Sequence, residues 1–288
     1  ILTTFIRIDY LIFNIFSSPQ ITFKANSESK LAMTNRVTNP TRFIGKLLID
    51  LTIMKSLTVL IPIFNEDRTI RELVRQLSQI EFGIITECIF VNDGSTDNSL
   101  AFLNESLKNV NFNYQIISQK NGGKSSAIKA GAKLLTTSHV VILDSDLELE
   151  TTDVEVFWKK VIQGKSDYIF GYRKFLSHSS FTYRYSRGNQ ILSNLYGIFF
   201  NEVITDIMCG YKLLPSKILN DLPFRFKKFG LEIEIPMHLW KTRLRPFEIE
   251  VSYKARSRAQ GKSISVKDAF EVIFSLIKFR ISNRRSND

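Results

Sequence analysis

Five short apolar runs recur along this chain at the spacing of a βαβ repeat. They open near residues 57 (LTVLIPI), 87 (ECIFV), 113 (NYQII), 139 (HVVIL) and 167 (DYIFG). Between them the apolar positions change to a helical period. Ile70, Leu73, Val74 and Leu77 form one stripe, Leu100, Leu103 and Leu107 a second, and Ala127, Ile128, Gly131, Leu134 and Leu135 a third. Asp97 and Thr152 stand where helix N-caps are expected. Strands alternating with helices give an α/β fold with a mainly parallel central sheet flanked by helices. The run Val140-Val141-Ile142-Leu143 is apolar on both faces, as in a strand buried in the middle of such a sheet.

An open α/β sheet binds ligands outside the carboxyl ends of its strands. Four polar signals fall there in succession. After the first strand comes Pro62-Ile63-Phe64-Asn65-Glu66, in which Pro62 stiffens the loop and Glu66 can accept ribose hydroxyls. After the second comes Asn92-Asp93-Gly94-Ser95, with a carboxylate for a base or ribose. Asn121-Gly122-Gly123-Lys124-Ser125 places a cation near phosphates. The fourth, Asp144-Ser145-Asp146, offers two hard oxygen ligands one residue apart. Such a pair suits Mg²⁺ or Mn²⁺ carrying a diphosphate, because these ions take few protein carboxylates and share the substrate's oxygens. Any one of the four reads as a turn or a cap; together, on one sheet edge, they read as a site.

Other chemistries fail on spacing. Gly123-Lys124-Ser125 ends like a P-loop, but Ser118 stands where that motif needs glycine. Gly261-Lys262-Ser263 fails in the same way at Arg256. No GxGxxG follows the first strand. Cys88 and Cys209 lie far apart with no CxxC, which argues against disulfides and zinc and for a reducing compartment. His139, His178 and His238 are scattered, none placed for base duty.

After residue 172 the rhythm breaks. Residues 191–200 and 231–240 read as helices, 209–214 as extended, and 247–253 as an edge strand. Residues 266–281 form an amphipathic helix with Phe270, Ile273, Phe274, Ile277 and Ile281 on one face. That face either covers the sheet or lies in a membrane interface. Net charge is +11, and residues 241–288 hold 12 Lys/Arg against 5 Asp/Glu. The skew points to an anionic partner, a membrane surface or nucleic acid, although no nucleic-acid-binding motif is present. No stretch approaches the ~20 apolar residues of a membrane span. Residues 1–53 show weak periodicity and are expected to be a poorly ordered extension, with the native start at Met54. Residues 54–255 are then the main domain, and 256–288 a basic lid segment plus the C-terminal helix.

The motifs PIFNE, NDGS, NGGKSSAIKAG and DSD, in this order and spacing, resemble the inverting GT-A glycosyltransferases of glycosyltransferase family 2. The segments YSRGN, TDIMCGYKLLP, GLEIEI and VSYKARSRAQGKS are similar to the branch that glycosylates polyprenyl phosphates, such as dolichyl-phosphate mannosyl- and glucosyltransferases. The resemblance spans residues 55–280. It implies that Pro62, Phe64, Glu66 and Asp93 hold the nucleoside with Lys124 near the same pocket. Asp144 and Asp146, flanking Ser145, would hold the metal on the donor diphosphate. Arg256 and Lys262 would close over the donor phosphates, and Arg173 and Arg187 would meet the acceptor phosphate. Asp206 would lie near the reacting centre, with Glu232 and Glu234 behind it. Phe64 stands where the family often has Tyr, and Asn92 replaces a frequent first Asp.

The expected activity is transfer of a hexose from a nucleotide sugar (UDP- or GDP-) to a polyprenyl phosphate at the cytoplasmic face of a membrane, with peripheral membrane contact. A phosphate monoester has a second pKa of about 6 and is largely dianionic at neutral pH, so arginines suffice to position it. Rival readings are the same fold with a soluble or polysaccharide acceptor, a nucleotidyltransferase, and a non-catalytic subunit beside a membrane-protein partner. A nucleotidyltransferase would want a Gly- and Arg-rich loop after the first strand, which PIFNE is not.

Overall fold

The computed structural model describes residues 55–174, 183–226, 230–254 and 266–283. Seven strands form one sheet in the order β3-β2-β1-β4-β6-β5-β7. They are β1 (Leu57–Ile63), β2 (Glu87–Asn92), β3 (Asn113–Ser118), β4 (His139–Ile142), β5 (Ile169–Arg173), β6 (Lys212–Pro215) and β7 (Phe247–Val251). The first four pair in parallel, and β6 enters antiparallel to both β4 and β5. β7 closes the edge parallel to β5. Every residue of β1 and β4 is buried, as expected for strands covered on both faces.

The helices follow the stripes read from the sequence. Helix α1 (Ile70–Leu77) buries Ile70, Leu73, Val74 and Leu77, and α2 (Ser99–Ser106) buries Leu103. Both lie with α4 (Asp153–Ile162) over one core, built around Val59, Ile61, Phe90, Phe157 and Tyr211. The opposite face carries α3 (Lys124–Ala132), α5 (Tyr183–Phe200), α6 (Ser216–Asp221), α7 (Gly230–Lys241) and α8 (Val266–Ser282). Helix α3 lies close to the sheet through Gly131, where a Cβ would stand 2.3 Å from a Leu60 methyl. The caps differ in detail from expectation. Asn98, not Asp97, is the N-cap of α2, while Asp97 accepts the Ser99 N–H at 2.9 Å in an Asx-type turn. Thr152 is the N-cap of α4 without a side-chain capping bond.

Helix α8 turns a different face to the core from the one its strongest stripe suggested. Val272 and Leu276 are buried there, with Ile273 and Phe279 packed beside them. Phe270, Phe274, Ile277 and Ile281 remain exposed, Phe270 at 68% and Phe274 at 67%. Helix α8 packs on α5, whose Ile191 and Ile198 are exposed too. No helix among the described residues is long and apolar enough to cross a membrane.

Candidate active site

Strand order reverses between β1 and β4, because β2 and β3 lie to one side of β1 and β4 to the other. At such a switch point the following loops diverge and leave a crevice. Pro62 stands there, paired with Val91 on the β2 side. The β1–β4 register stops at Leu60↔Ile142, so the donor that proline lacks is not missed by β4. The Asp144-Ser145-Asp146 turn opens where β4 has let go.

Cross-loop bonds tie the four loops into a ring. From β1 to β2, the Asn65 N–H donates to Ser95 Oγ (3.1 Å), Asn65 Oδ1 accepts from the Thr96 N–H (2.8 Å), and the Glu66 N–H donates to Ser99 Oγ (2.7 Å). Asn65 takes a left-handed φ of 55° to reach both partners, a conformation asparagine tolerates better than most residues. From β2 to β3, Asp93 accepts Gln119 Nε2 at 2.7 Å and the N–H groups of Gly122 and Gly123 at 2.9 and 2.7 Å. Its carboxylate is thereby 3% exposed and organises the glycine loop. Lys124, the first residue of α3, reaches across to Asp144, and Ser145 Oγ closes the ring by donating to the Pro62 carbonyl at 2.8 Å.

The charges at the crevice are arranged as follows. Lys124 Nζ lies 2.6 and 2.8 Å from the two oxygens of Asp144 and 2.9 Å from Glu232 Oε1 of α7. Burial would lower this lysine's pKa, but Asp144 and Glu232 outweigh it and hold it above its ordinary value. Gly210 packs against the pair: a Cβ there would stand 2.5 Å from Asp144 Oδ2 and 2.8 Å from Lys124 Nζ. Asp146 accepts the Glu148 N–H at 3.1 Å. Glu66 accepts the Thr69 hydroxyl at 2.9 Å, and Phe64 beside it is partly exposed.

A second cluster lies at the end of β5. Arg173 donates from Nε (2.7 Å) and Nη2 (3.0 Å) to the two oxygens of Asp206, and its backbone N–H adds a third bond. Asn189 of α5 supplies a fourth at 2.6 Å. Burial pushes Asp206 up, but the Arg173 charge and these donors outweigh it and hold the carboxyl below its usual value. Asp206 is thus anchored by donors from Arg173 and Asn189. The Arg173 guanidinium lies over the Tyr253 ring, and Tyr253 bonds Glu148 in the aspartate turn. Arg187, near the start of α5, is exposed. Lys212 is buried and donates to the Ile207 and Cys209 carbonyls, fixing the turn that carries Asp206 and Gly210.

Sequence reasoning named Pro62, Glu66, Asp93, Lys124, Asp144, Ser145, Asp146, Arg173 and Asp206, and the structure brings them to two adjoining clusters on the sheet's C-terminal edge. Arg256 and Lys262, with the lid expected there, lie outside the described residues. Gly210, Gln119, Asn189 and Lys212 carried no individual role in the sequence, although the motif YSRGN ends at Asn189 and TDIMCGYKLLP contains Gly210 and Lys212. His139 lies at the opposite end of β4, bonded to Asp167.

Two carboxylates at the mouth of the crevice, with no group of three or more protein ligands among the described residues, fit a hard divalent ion completed by substrate phosphates. They do not fit a self-sufficient metal site.

The mostly parallel sheet with helices on both faces is the fold of GT-A glycosyltransferases. The chain is similar to glucosyl-3-phosphoglycerate synthase from Mycobacterium tuberculosis, solved in complex with Mn²⁺, UDP and glucosyl-3-phosphoglycerate. That likeness has a TM-score of 0.62 at 16% identity, over 81% of this chain and 82% of that one, and it speaks for the fold alone. An uncharacterized protein of Methanocaldococcus jannaschii is 26% identical over 231 residues, 76% of this chain and 97% of that protein. Glycosyltransferase GlyA of Streptococcus pneumoniae is 27% identical over 185 residues, 60% of this chain and 26% of GlyA. The profile of glycosyl transferase family 2 matches residues 58–223, more than half of the sequence, and the chain belongs to that family.

Proposed function

We propose that this glycosyltransferase is an inverting, divalent-metal-dependent enzyme that moves a hexose from a nucleotide sugar to a polyprenyl phosphate at the cytoplasmic face of a membrane. An oxygen of the acceptor phosphate forms the new bond to the anomeric carbon as the bond to the donor diphosphate breaks, and the electron pair leaves with the nucleoside diphosphate. Phe64, Glu66 and the loop organised by Asp93 receive the nucleoside. Asp144 and Asp146 would hold Mg²⁺ or Mn²⁺, which when bound neutralises the charge growing on the leaving diphosphate. Arg173, fixed by Asp206, and the exposed Arg187 supply positive charge for the acceptor phosphate. A phosphate dianion needs no proton removed, which agrees with an anchored Asp206 and with no histidine at the site among the described residues.

The observation that carries the lipid acceptor is the exposed stripe Phe270-Phe274-Ile277-Ile281 on α8. Lys278 is exposed on the same helix, and Arg284 and Arg285 follow in sequence. Apolar burial and basic charge both favour an anionic bilayer surface. A second reading keeps the phosphate acceptor but makes it small and soluble. It is favoured by the fold likeness to glucosyl-3-phosphoglycerate synthase, one of whose structures holds phosphoglyceric acid. Radiolabelled UDP- and GDP-hexoses incubated separately with polyprenyl phosphate and with phosphoglycerate separate the two. Label in the organic phase supports the lipid acceptor, and label only in the aqueous product refutes it.

A further inference from the structure

One of the two carboxylates proposed for the metal is already occupied by a cation of the protein. Lys124 Nζ touches both oxygens of Asp144, at 2.6 and 2.8 Å. A lysine at the first position of a helix meets the positive end of the macrodipole, where acidic residues are favoured, so local helix energetics do not explain its place. What holds it is a pair of anions from two other elements. Glu232 Oε1 lies 2.9 Å from the same ammonium, and Glu232 is 4% exposed. Its other oxygen, Oε2, is buried without a hydrogen-bond partner. Such an atom is costly in a folded protein and leaves Glu232 able to take more of the ammonium than it now holds. The ammonium already contacts both carboxylates, so a shift from Asp144 towards Glu232 is a local one.

We propose that Lys124 is a built-in counter-ion for Asp144, which it neutralises before donor and metal arrive, and that Glu232 receives the ammonium when Asp144 turns to the metal. Asp144 is thus kept charge-paired without its ligands, and metal binding exchanges one cation on it for another. Lys124 and Glu232 are positioning residues for Asp144, and the inference rests on the assignment of Asp144 to the metal made above.

The geometry predicts opposite signs for two substitutions that a merely structural role would move together. The readout is Mn²⁺ bound to the protein alone, without nucleotide, measured as free Mn²⁺ by electron paramagnetic resonance. Lys124→Met removes the competitor and should tighten Mn²⁺ at least about tenfold, the order of effect a contacting opposite charge has on a carboxylate's affinity for a proton. Glu232→Gln removes the receiving anion, leaves Lys124 wholly on Asp144, and should weaken Mn²⁺ by a similar factor. In Lys124→Met/Glu232→Gln both buried charges are gone, so folding is protected if Lys124→Met alone strands Glu232. That double variant should still bind Mn²⁺ more tightly than the wild type. Asp144→Asn serves as reference. If Asp144→Asn leaves Mn²⁺ binding unchanged, the metal assignment falls and the counter-ion role with it. If Asp144→Asn abolishes binding but neither Lys124→Met nor the double variant tightens it, the metal assignment stands and the counter-ion proposal is overturned.

Discussion

Gly210→Ala probes the crevice with a single methyl group. Its Cβ would stand 2.5 Å from Asp144 Oδ2 and 2.8 Å from Lys124 Nζ, whereas ordinary contact begins at 3.4 Å. The pair must retreat by about 0.9 Å to restore that contact. Asp144 cannot do so freely, because Ser145, its neighbour, is bound to the Pro62 carbonyl. A displacement of about 1 Å at a reacting centre can cost on the order of 100-fold in rate, so turnover should fall by about 10- to 100-fold. Fold stability should fall by no more than ~1 kcal/mol, a few degrees of melting temperature for a domain of this size, because both colliding atoms are side-chain ends at a partly open site. Initial rates at saturating donor and metal, beside a thermal melt, give both numbers. A Gly210→Ala enzyme with wild-type turnover would show that the position of Asp144 does not matter to catalysis.

Asp144→Asn and Asp146→Asn should each abolish transfer with melting temperatures close to wild type; appreciable turnover of either at limiting Mn²⁺ would count against the metal role. Asp206→Asn leaves Arg173, whose side chain is 17% exposed, without its anion, and breaking such a pair should cost about 3 kcal/mol in urea unfolding; a cost below about 1 kcal/mol would mean the pair is solvated. Asp153 is raised from 3.8 to about 6, chiefly by burial, against the Ser252 N–H bond that lowers it. Its ionised form therefore weakens the fold above about pH 6, and this penalty fades as pH falls towards 3.8, where both states are protonated. Asp153→Asn should accordingly raise the melting temperature at pH 8 and progressively less towards pH 4; a constant gain across that range would contradict the shift. Phe270→Ser/Phe274→Ser should lose flotation with anionic vesicles at low salt while keeping its melting temperature, and undiminished flotation would remove α8 from the membrane contact.

The first four strands and their loops were legible because β1, β2 and β4 are apolar on both faces, β3 carries the short run Tyr114 to Ile117, and each helix between them carries one apolar stripe. The crevice could be placed from the same pattern, since β1 and β4 both ended in polar loops. The partners within it were not legible. Nothing in the spacing of Asp93 says that two glycine amides saturate it, and Glu232 meets Lys124 only because α7 folds back from more than 100 residues away. Helix α8 misled for a different reason. With Phe270, Val272, Ile273, Phe274, Leu276, Ile277, Phe279 and Ile281 it is apolar nearly all round, so period alone cannot say which side faces inward. The extended segment expected at 209–214 begins only at Lys212, because the Lys212 ammonium draws the preceding carbonyls into a turn.

The insertion of β6 between β4 and β5 dictates an order of assembly. Strands β1 to β4 can pair with one another as soon as residue 142 has left the ribosome, since their mutual contacts need nothing downstream. β5 emerges next but has no neighbour to join: its contact with the sheet passes through Leu213 and Lys212, some forty residues later. Until then β4 presents a bare edge, Val140 to Ile142, of the kind that recruits strands from other chains. The half-made domain is thus most exposed to aggregation between the synthesis of Ile142 and that of Pro215. Pulsed hydrogen exchange during refolding should protect Ile61 before Phe170; simultaneous protection would mean the two halves form together.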